Sequence, residues 1–249
     1  MSALYLVRLT VAPRELAAFA VAHGVSDGDN GYAAHLALRR RYGAVAPQPF
    51  RLRMEHPDRT HLLGYVADPT ALMEAYALPS PDDLLNTVFP QAPVFRAMPE
   101  NWAAGARYGF QVRVRPVVRY GARARQARAE RQDAWQRKAG EVDAFVAACE
   151  RMPGETMDRE QVYHDWLAAR LAGVAKLEQA DLVSFRRVRT RRSSHGRPGA
   201  GSVEGPEAVM RGTLQVEDGT AFLHLLARGV GRHAAFGYGM LLLSPAGQR

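Results

Sequence analysis

Alternating hydrophobic and polar residues mark the first regular element of the chain. Residues 4–11 place every second side chain on one apolar face, which is typical of a half-buried strand near the centre of a sheet. A short helix is predicted to begin at Pro13, because proline suits the first helical turn. A second helix is predicted over residues 32–42, with Asp29 or Asn30 as its N-cap. The chain therefore opens with a strand followed by helical sequence.

Two further alternating runs, at residues 50–54 and 61–66, predict a β-hairpin. The alternation turns Arg51 and Arg53 outward, away from the apolar side chains of the same strand. A helix capped by Asp68 and a last strand near 94–96 complete the order strand, helix, two strands, helix, strand. That order is typical of a ferredoxin-like βαββαβ unit.

The second half of the chain repeats this order after a stretch rich in proline, alanine and glycine. We predict strands over residues 110–118, 182–189, 208–216 and 240–243, and helices over 124–150, 158–172 and 220–228. The predicted fold class is therefore α+β, with two tandem ferredoxin-like (RRM-like) βαββαβ domains. We predict residues 1–97 as the N-terminal domain and residues 105–249 as the C-terminal domain.

Charge narrows the classes of partner. Lys and Arg number 33 against 25 Asp and Glu, nearly all of the cations are arginine, and the pI is about 10.0. This balance indicates nucleic acid or an anionic membrane as the partner, although a GC-rich genome also favours arginine. No apolar run could span a bilayer and no signal peptide is recognisable, so we expect a cytoplasmic protein with no membrane partner. Cys149 is the single cysteine, which excludes a disulfide framework and a cysteine zinc cluster.

Two arginine-rich features of the second half are candidates for RNA binding. The polar face of the strand at 110–118 carries Arg113 and Arg115, which is unusual unless something anionic covers it. Residues 186–201 read as a long basic hairpin tip that could enter a groove of structured RNA. Its candidate contacts are Arg186, Arg189, Arg191 and Arg192. A charge run in a loop is as often a solvated, mobile segment, so both interpretations stay open.

Residues 229–239, Gly-Val-Gly-Arg-His-Ala-Ala-Phe-Gly-Tyr-Gly, hold four glycines in eleven residues and are called the glycine segment below. Such a backbone turns tightly and can lie against a partner without Cβ atoms in the way. Arg232 and His233 at its centre indicate an anionic partner. The backbone candidates for RNA contact are Gly229, Gly231, Gly237 and Gly239. The spacing fits neither a dinucleotide fingerprint nor a P-loop, and glycine content alone favours a simple turn between a helix and a strand.

One helix carries a set of side chains suited to cleaving RNA. Tyr32, His35 and Arg39 lie three and four residues apart in the helix over 32–42, so they project from one face. Imidazole is the side chain best matched to proton transfer near neutral pH, while phenol and guanidinium can hold a phosphate. Without further information, one histidine and one tyrosine on such a helix are more often core and surface residues.

The glycine segment, read as Gly-Val-Gly-Arg-x-x-Ala-Phe-Gly-x-Gly-x-Leu-Leu, resembles the signature of the CRISPR repeat-RNA endoribonucleases of the CasE subfamily, which belong to the subtype I-E Cascade complex. Tyr32-Ala-Ala-His35 is similar to the Tyr-x-x-His of that subfamily in spacing and position. The family's basic residue five positions after the histidine falls on Arg40, and Arg113 resembles an arginine of its Arg-Leu-Arg strand. Ala234 stands where close relatives carry lysine.

The resemblance implies an endoribonuclease that cuts a CRISPR repeat hairpin by attack of a 2′-hydroxyl, without metal or cofactor. It implies that His35 transfers the proton, that Tyr32 orients the phosphate or assists, and that Arg39 or Arg40 stabilises charge. The implied partners are the repeat RNA hairpin, the mature crRNA and other Cascade subunits. A non-catalytic RNA-binding subunit, or a scaffold that docks on guide RNA held by other proteins, is the alternative.

Overall fold

The computed structural model describes residues 3–25, 29–56, 59–120, 141–191 and 202–247. The strands are β1 Tyr5–Val11, β2 Phe50–His56, β3 Arg59–Val66, β4 Val94–Ala97, β5 Arg107–Val114, β6 Val117–Arg119, β7 Glu141–Asp143, β8 Ala175–Arg191, β9 Ser202–Val216 and β10 Leu241–Pro245. The helices are α1 Pro13–Ala22, α2 Asn30–Tyr42, α3 Pro69–Ala77, α4 Asp83–Val88, α5 Ala144–Arg151, α6 Arg159–Leu171 and α7 Gly219–Arg228.

The first half forms a four-stranded antiparallel sheet in the order β2-β3-β1-β4. The predicted central position of the first strand is confirmed, since β1 pairs with both β3 and β4. Val7, Leu9 and Val11 are buried against the helices on one face of this sheet. One helix that the pattern did not predict, α4, begins where the Asp82 carboxylate accepts a hydrogen bond from the Leu84 N–H.

The second half forms another four-stranded antiparallel sheet in the order β10-β5-β9-β8. If the four strands of each sheet are numbered in chain order, both sheets have the order 2-3-1-4, so the first strand lies between the third and the fourth. The predicted α+β class with tandem ferredoxin-like units is therefore confirmed. The exact domain boundaries, 1–97 and 105–249, stay a prediction, although the two sheets lie on either side of them.

Two predictions for the second half are wrong. The single strand expected over 110–118 is divided, because Pro116 has no N–H with which to continue the ladder and β5 ends at Val114. The chain then forms β6, which pairs with β7 at residues 141–143, inside the stretch expected to be helical. Residues 121–140 of that expected helix lie outside the described residues, as does the hairpin tip at 192–201.

The two halves are joined through a shared apolar core. Leu4, which precedes β1, and Tyr65 of β3 come from the first half but are buried in the hydrophobic cluster of the second half. The Tyr65 hydroxyl donates a 2.8 Å hydrogen bond to the carbonyl of Leu241 in β10, and burial raises the pKa of this phenol. This contact fixes one sheet against the other and brings α2 close to the glycine segment.

Candidate active site and nucleic-acid interface

The helix α2 presents Tyr32 and His35 at the edge of the first core. Asp29 is its N-cap, because the Asp29 carboxylate accepts a 3.0 Å hydrogen bond from the Tyr32 N–H. Ala33, Ala34, Ala37 and Leu38 are buried and turn one side of the helix into the core. Tyr32 and His35 are half-buried, so each keeps part of its ring open to solvent. Their ring centroids lie 6.2 Å apart.

The glycine segment lies directly against this pair. The ring of Phe236 is 4.9 Å from the His35 ring, in an edge-to-face arrangement, and 5.9 Å from the Tyr32 ring. Gly31 permits this contact, since a Cβ on it would stand 2.6 Å from the Phe236 carbonyl oxygen. The sequence alone left open whether His35 and the glycine segment converge, and the structure brings them into contact.

The glycines of the segment pack against the protein itself. Their neighbours are Pro49 for Gly229, Trp166 for Gly231, Phe50 for Gly237 and the Val230 backbone for Gly239. Gly239 has a φ of 78°, and a Cβ there would stand 2.4 Å from the Val230 carbonyl oxygen. Its carbonyl accepts a 2.8 Å hydrogen bond from the Val230 N–H, which closes the segment into a loop. The proposed backbone contacts of these glycines with RNA stay a prediction.

His35 titrates in a partly dry, electropositive environment. Burial lowers the pKa of His35 below its ordinary value, and the positive charge of Arg39 lowers it further. A hydrogen bond with the backbone of Ala235, in the glycine segment, raises the pKa in part. The net result is a pKa below 6.5, so the imidazole is neutral and able to accept a proton near neutral pH.

The two candidate cations of α2 point in different directions. Arg39 is exposed and donates a 2.9 Å hydrogen bond to the carbonyl of Gly43, while its charge acts on His35. Arg40 instead reaches α1, where its guanidinium bonds to the Nε2 atom of His23. The geometry therefore favours Arg39 over Arg40 as the cation that acts beside His35.

Arg232 and His233, at the centre of the glycine segment, share one carboxylate. The Arg232 Nε lies 2.7 Å from one oxygen of Glu141, and the His233 Nε2 lies 2.8 Å from the other. Glu141 comes from β7, the strand that the sequence pattern predicted as helix. The Arg232 side chain is 52% exposed and the His233 side chain only 15%, so Arg232 is the more accessible to a ligand.

Arg113 and Arg186 converge on a second carboxylate, Glu207 of β9. Arg113 donates to one oxygen together with the Tyr238 hydroxyl at 2.8 Å, and the Arg186 Nε donates to the other oxygen at 2.7 Å. Burial alone would raise the pKa of Glu207, but these hydrogen bonds outweigh it and the pKa is lowered. One anion that lies on this arginine-bearing face is therefore part of the protein. Glu207 was not predicted, because nothing in its local sequence marks it.

The remaining candidates for RNA binding differ in burial and in position. Arg115 is 4% exposed, with its guanidinium carbon 5.9 Å from the Tyr238 ring, and this burial argues against a direct surface contact. Arg189 and Arg191 lie in the β8–β9 ladder, opposite Glu204 and Ser202. Arg192 lies outside the described residues. A role for these residues in RNA binding stays a prediction.

Within the described ranges, no group of three or more His, Cys, Asp or Glu side chains is placed to hold a metal ion. None of the helices in the part of the chain that the structure describes is both long and apolar enough to cross a membrane.

Comparison with known proteins gives the chain its family. The family of CRISPR associated proteins matches residues 4–245, whereas no curated protein matches the sequence. The fold is similar to CRISPR endoribonuclease Cse3 bound to a 19-nucleotide RNA, with a TM-score of 0.63, 19% identity and coverage of 98% of this chain and 100% of that chain. It is similar to Thermus thermophilus Cse3 bound to an RNA representing a pre-cleavage complex, with a TM-score of 0.62, 18% identity and coverage of 98% and 100%. For Cas6e from Escherichia coli str. K-12 the TM-score is 0.54 at 18% identity, with coverage of 97% and 99%. Because the family match spans nearly the whole sequence, the chain belongs to the CRISPR-associated protein family.

Proposed function

We propose that this protein is a metal-independent endoribonuclease that cleaves CRISPR precursor RNA within the repeat and produces mature guide RNAs. The observation that carries the proposal is the contact between the Tyr32–His35 face of α2 and Phe236 of the glycine segment. The two motifs that resemble the CasE subfamily come from opposite ends of the chain. A shared site explains why both are present in one protein.

The proposed reaction uses the groups on α2 in separate roles. The neutral imidazole of His35 accepts the proton of the ribose 2′-hydroxyl, and the 2′-oxygen attacks the neighbouring phosphorus in line. The bond from phosphorus to the 5′-oxygen breaks, and a proton returns to that oxygen. The products are a 2′,3′-cyclic phosphate, or its opened form, and a 5′-hydroxyl. Tyr32 orients the phosphate and Arg39 stabilises its developing charge, at about 3 to 4 kcal/mol for one such donor.

The proposed partners are a CRISPR repeat RNA hairpin, the mature crRNA and other subunits of a Cascade complex. The net charge of +8 supports RNA binding, because cations that neutralise phosphates provide most of the affinity. Proteins of similar fold were solved with RNA and as part of a CRISPR RNA-guided surveillance complex, the latter with a TM-score of 0.51 at 16% identity. We propose that the protein stays bound to its product in such an assembly.

The test of the proposal is His35→Ala, assayed for both cleavage and binding of repeat RNA. We expect single-turnover cleavage to fall by about three to four decades, within the range for loss of an acid-base group, while Kd changes little. His164→Ala is the matched control, since His164 lies on α6 in the other half and bonds to its exposed neighbour Asp165. If His35→Ala cleaves at the wild-type rate, the catalytic assignment is wrong.

A second experiment separates metal-independent from metal-dependent cleavage. Repeat RNA is incubated with the protein in EDTA, and we expect the cleavage rate to equal that in magnesium. Loss of cleavage that magnesium restores would contradict the proposed proton transfer by His35.

A non-catalytic RNA-binding subunit is the second candidate function. It is favoured by the side chains of the second half, where arginines converge on Glu207 and Glu141. The imidazole of His233 and the hydroxyl of Tyr238 are themselves bonded to these two carboxylates. Tight binding of repeat RNA, without cleavage by the wild-type protein, would support this candidate.

A further inference from the structure

Arg51 of β2 lies at the junction of the two halves rather than in open solvent. Its neighbour in β2, Phe50, packs against the glycine segment: a Cβ on Gly237 would stand 3.1 Å from the Phe50 ring. Arg51 therefore lies beside the glycine segment. The charges that act on Arg51 are those of Arg113, Glu207 and Arg53. The alternation of β2 correctly turned Arg51 away from the first core, but the second half partly covers that face.

The cluster around Arg51 has more positive than negative charge. Glu207 is the one carboxylate among the charges that act on Arg51. It also interacts with the guanidinium groups of Arg113 and Arg186, so three positive groups share one negative group. Glu207 already accepts hydrogen bonds from Arg113, Arg186 and the Tyr238 hydroxyl. With three donors on two oxygens, this carboxylate has little capacity left for Arg51. Two positive charges of the three therefore remain uncompensated by it.

Hydrogen bonding in the cluster is also incomplete. The Nη1 atom of Arg51 and the Nε atom of Arg113 are buried without a hydrogen-bond partner. Burial and the like charge of Arg113 lower the pKa of Arg51 to about 10. Unpaired donors and like charges in a partly buried site cost folding free energy, and the one carboxylate that acts on Arg51 already accepts hydrogen bonds from Arg113 and Arg186. An anionic ligand beside the exposed Arg186 side chain would supply the missing negative charge.

We propose that Arg51, together with Arg113 and Arg186, binds one phosphodiester group of the RNA at the junction of the two sheets. The guanidinium fork matches a phosphate in geometry and charge. The Arg186 side chain is 63% exposed and lies at the base of the β8–β9 ribbon, so it gives access to the cluster from solvent. This inference rests on RNA binding in the proposed function but is independent of the cleavage mechanism.

RNA is the ligand class that the surroundings favour. Arg187 lies next along β8, half exposed and paired with Glu204, and Arg189 and Arg191 continue the same strand. Side chains alternate along a strand, so Arg187 and Glu204 lie on the face of the ribbon opposite Arg186 and Glu207. A polyanion as large as an RNA hairpin can contact both faces of the ribbon, whereas a small isolated anion would use only one position.

The test is Arg51→Gln, with binding measured to repeat RNA that carries a 2′-deoxy substitution at the cut site and therefore cannot be cleaved. We expect Kd to rise about 5- to 20-fold at 0.1 M salt. The slope of log Kd against log salt should fall by about 0.7 to 0.9, the value for one phosphate contact. Arg14→Gln is the matched control, because Arg14 is exposed on α1, which covers the opposite face of the first sheet.

Thermal unfolding of the free protein gives a second readout. Because Arg51→Gln removes an uncompensated charge, we expect its unfolding midpoint to equal or exceed that of the wild type. A merely structural arginine would instead lower the midpoint and leave the salt slope unchanged, and this result would overturn the inference. Arg186→Gln provides the same slope test at an exposed position if Arg51→Gln does not fold.

The outcomes also separate this inference from the proposed function. If the wild type does not bind repeat RNA, the proposed function fails and the phosphate site fails with it. If the wild type binds RNA but Arg51→Gln keeps the salt slope of Arg14→Gln, only the phosphate site is contradicted.

Discussion

The two halves of the molecule share one strand order but differ in the lengths of their hairpin strands and in the side chains that they expose. In the first half the hairpin strands β2 and β3 have 7 and 8 residues, and the side chains suited to chemistry lie on α2. In the second half the corresponding strands β8 and β9 have 17 and 15 residues and carry arginines far along a ribbon. The topology therefore does not assign a role to either half.

This difference between the halves shows that a site in a protein with two similar folds can form where the halves meet. Neither half contains the whole candidate site, because His35 is on α2 while Phe236, which packs against its ring, belongs to the glycine segment of the other half. The contact depends on the shared core through which Tyr65 bonds to Leu241. Variants that act on equivalent positions in the two halves can show whether this division of roles is real.

Among variants that compare the two halves and leave His35 itself unchanged, the largest effect is expected for Gly31→Ala. Its Cβ would stand 2.6 Å from the Phe236 carbonyl oxygen, which would push the glycine segment away from His35. We expect cleavage to fall about 100-fold, as is typical when reacting groups are displaced by about 1 Å. Gly219→Ala is the counterpart at the start of α7, where the Cβ would stand 2.0 Å from the Trp102 carbonyl oxygen.

Both glycine variants should unfold at lower temperature, since a backbone atom obstructs each Cβ. Cleavage is compared at a temperature where circular dichroism shows both to be folded. Equal losses of cleavage in the two variants would contradict a special role for the Gly31–Phe236 contact.

A smaller effect is expected in the pH dependence of cleavage. If His35 acts as a base, the rate declines as the pH falls through its pKa, which burial and Arg39 hold below 6.5. Arg39→Gln removes one of these causes and should move the acid limb to higher pH. Arg40→Gln should leave the limb in place, because Arg40 bonds to His23. Single-turnover rates between about pH 5 and 8 measure this, and a shift in Arg40→Gln alone would reverse the assignment.

The same lowered pKa has a consequence for stability. Because the folded protein favours neutral His35, the unfolded chain binds more protons between the two pKa values. The contribution is fully present above pH 6.5 and is lost as the pH falls through the pKa of the folded state. His35→Gln should therefore flatten the acid side of the stability profile, measured by urea unfolding at several pH values. A profile that still matches the wild type would contradict this.

The smallest effect is expected for the helix caps. Asp29 caps α2 and Asp218 caps α7, each by accepting a hydrogen bond from a backbone N–H three residues on. Asp29→Ala and Asp218→Ala should each lower the free energy of unfolding by about 1 kcal/mol. Only Asp29→Ala should also slow cleavage, by a few-fold, because α2 carries His35. A comparable slowing in Asp218→Ala would show that stability, and not the position of α2, sets the rate.

The sequence by itself determined most of the local structure and the candidate chemistry. Alternation and capping residues predicted β1, α2 and α7, because strand and helix periods and N-caps depend on neighbours along the chain. The Tyr32–His35 pair and the glycine segment were recognisable for the same reason, since each is contiguous. Pro116 is visible in the sequence as a residue that can interrupt a strand, but the pairing of β6 with β7 could not be predicted from the sequence.

Only the tertiary structure decided which distant groups meet. Glu207 and Glu141 are ordinary glutamates in the sequence, yet each collects cations from elsewhere in the chain. The sequence predicts Arg51 as an outward-facing strand residue, and in the structure the second half partly covers it. The physical reason is that ion pairs, close glycine contacts and desolvation depend on distances through space, which are fixed when the two sheets pack across Tyr65 and Leu241.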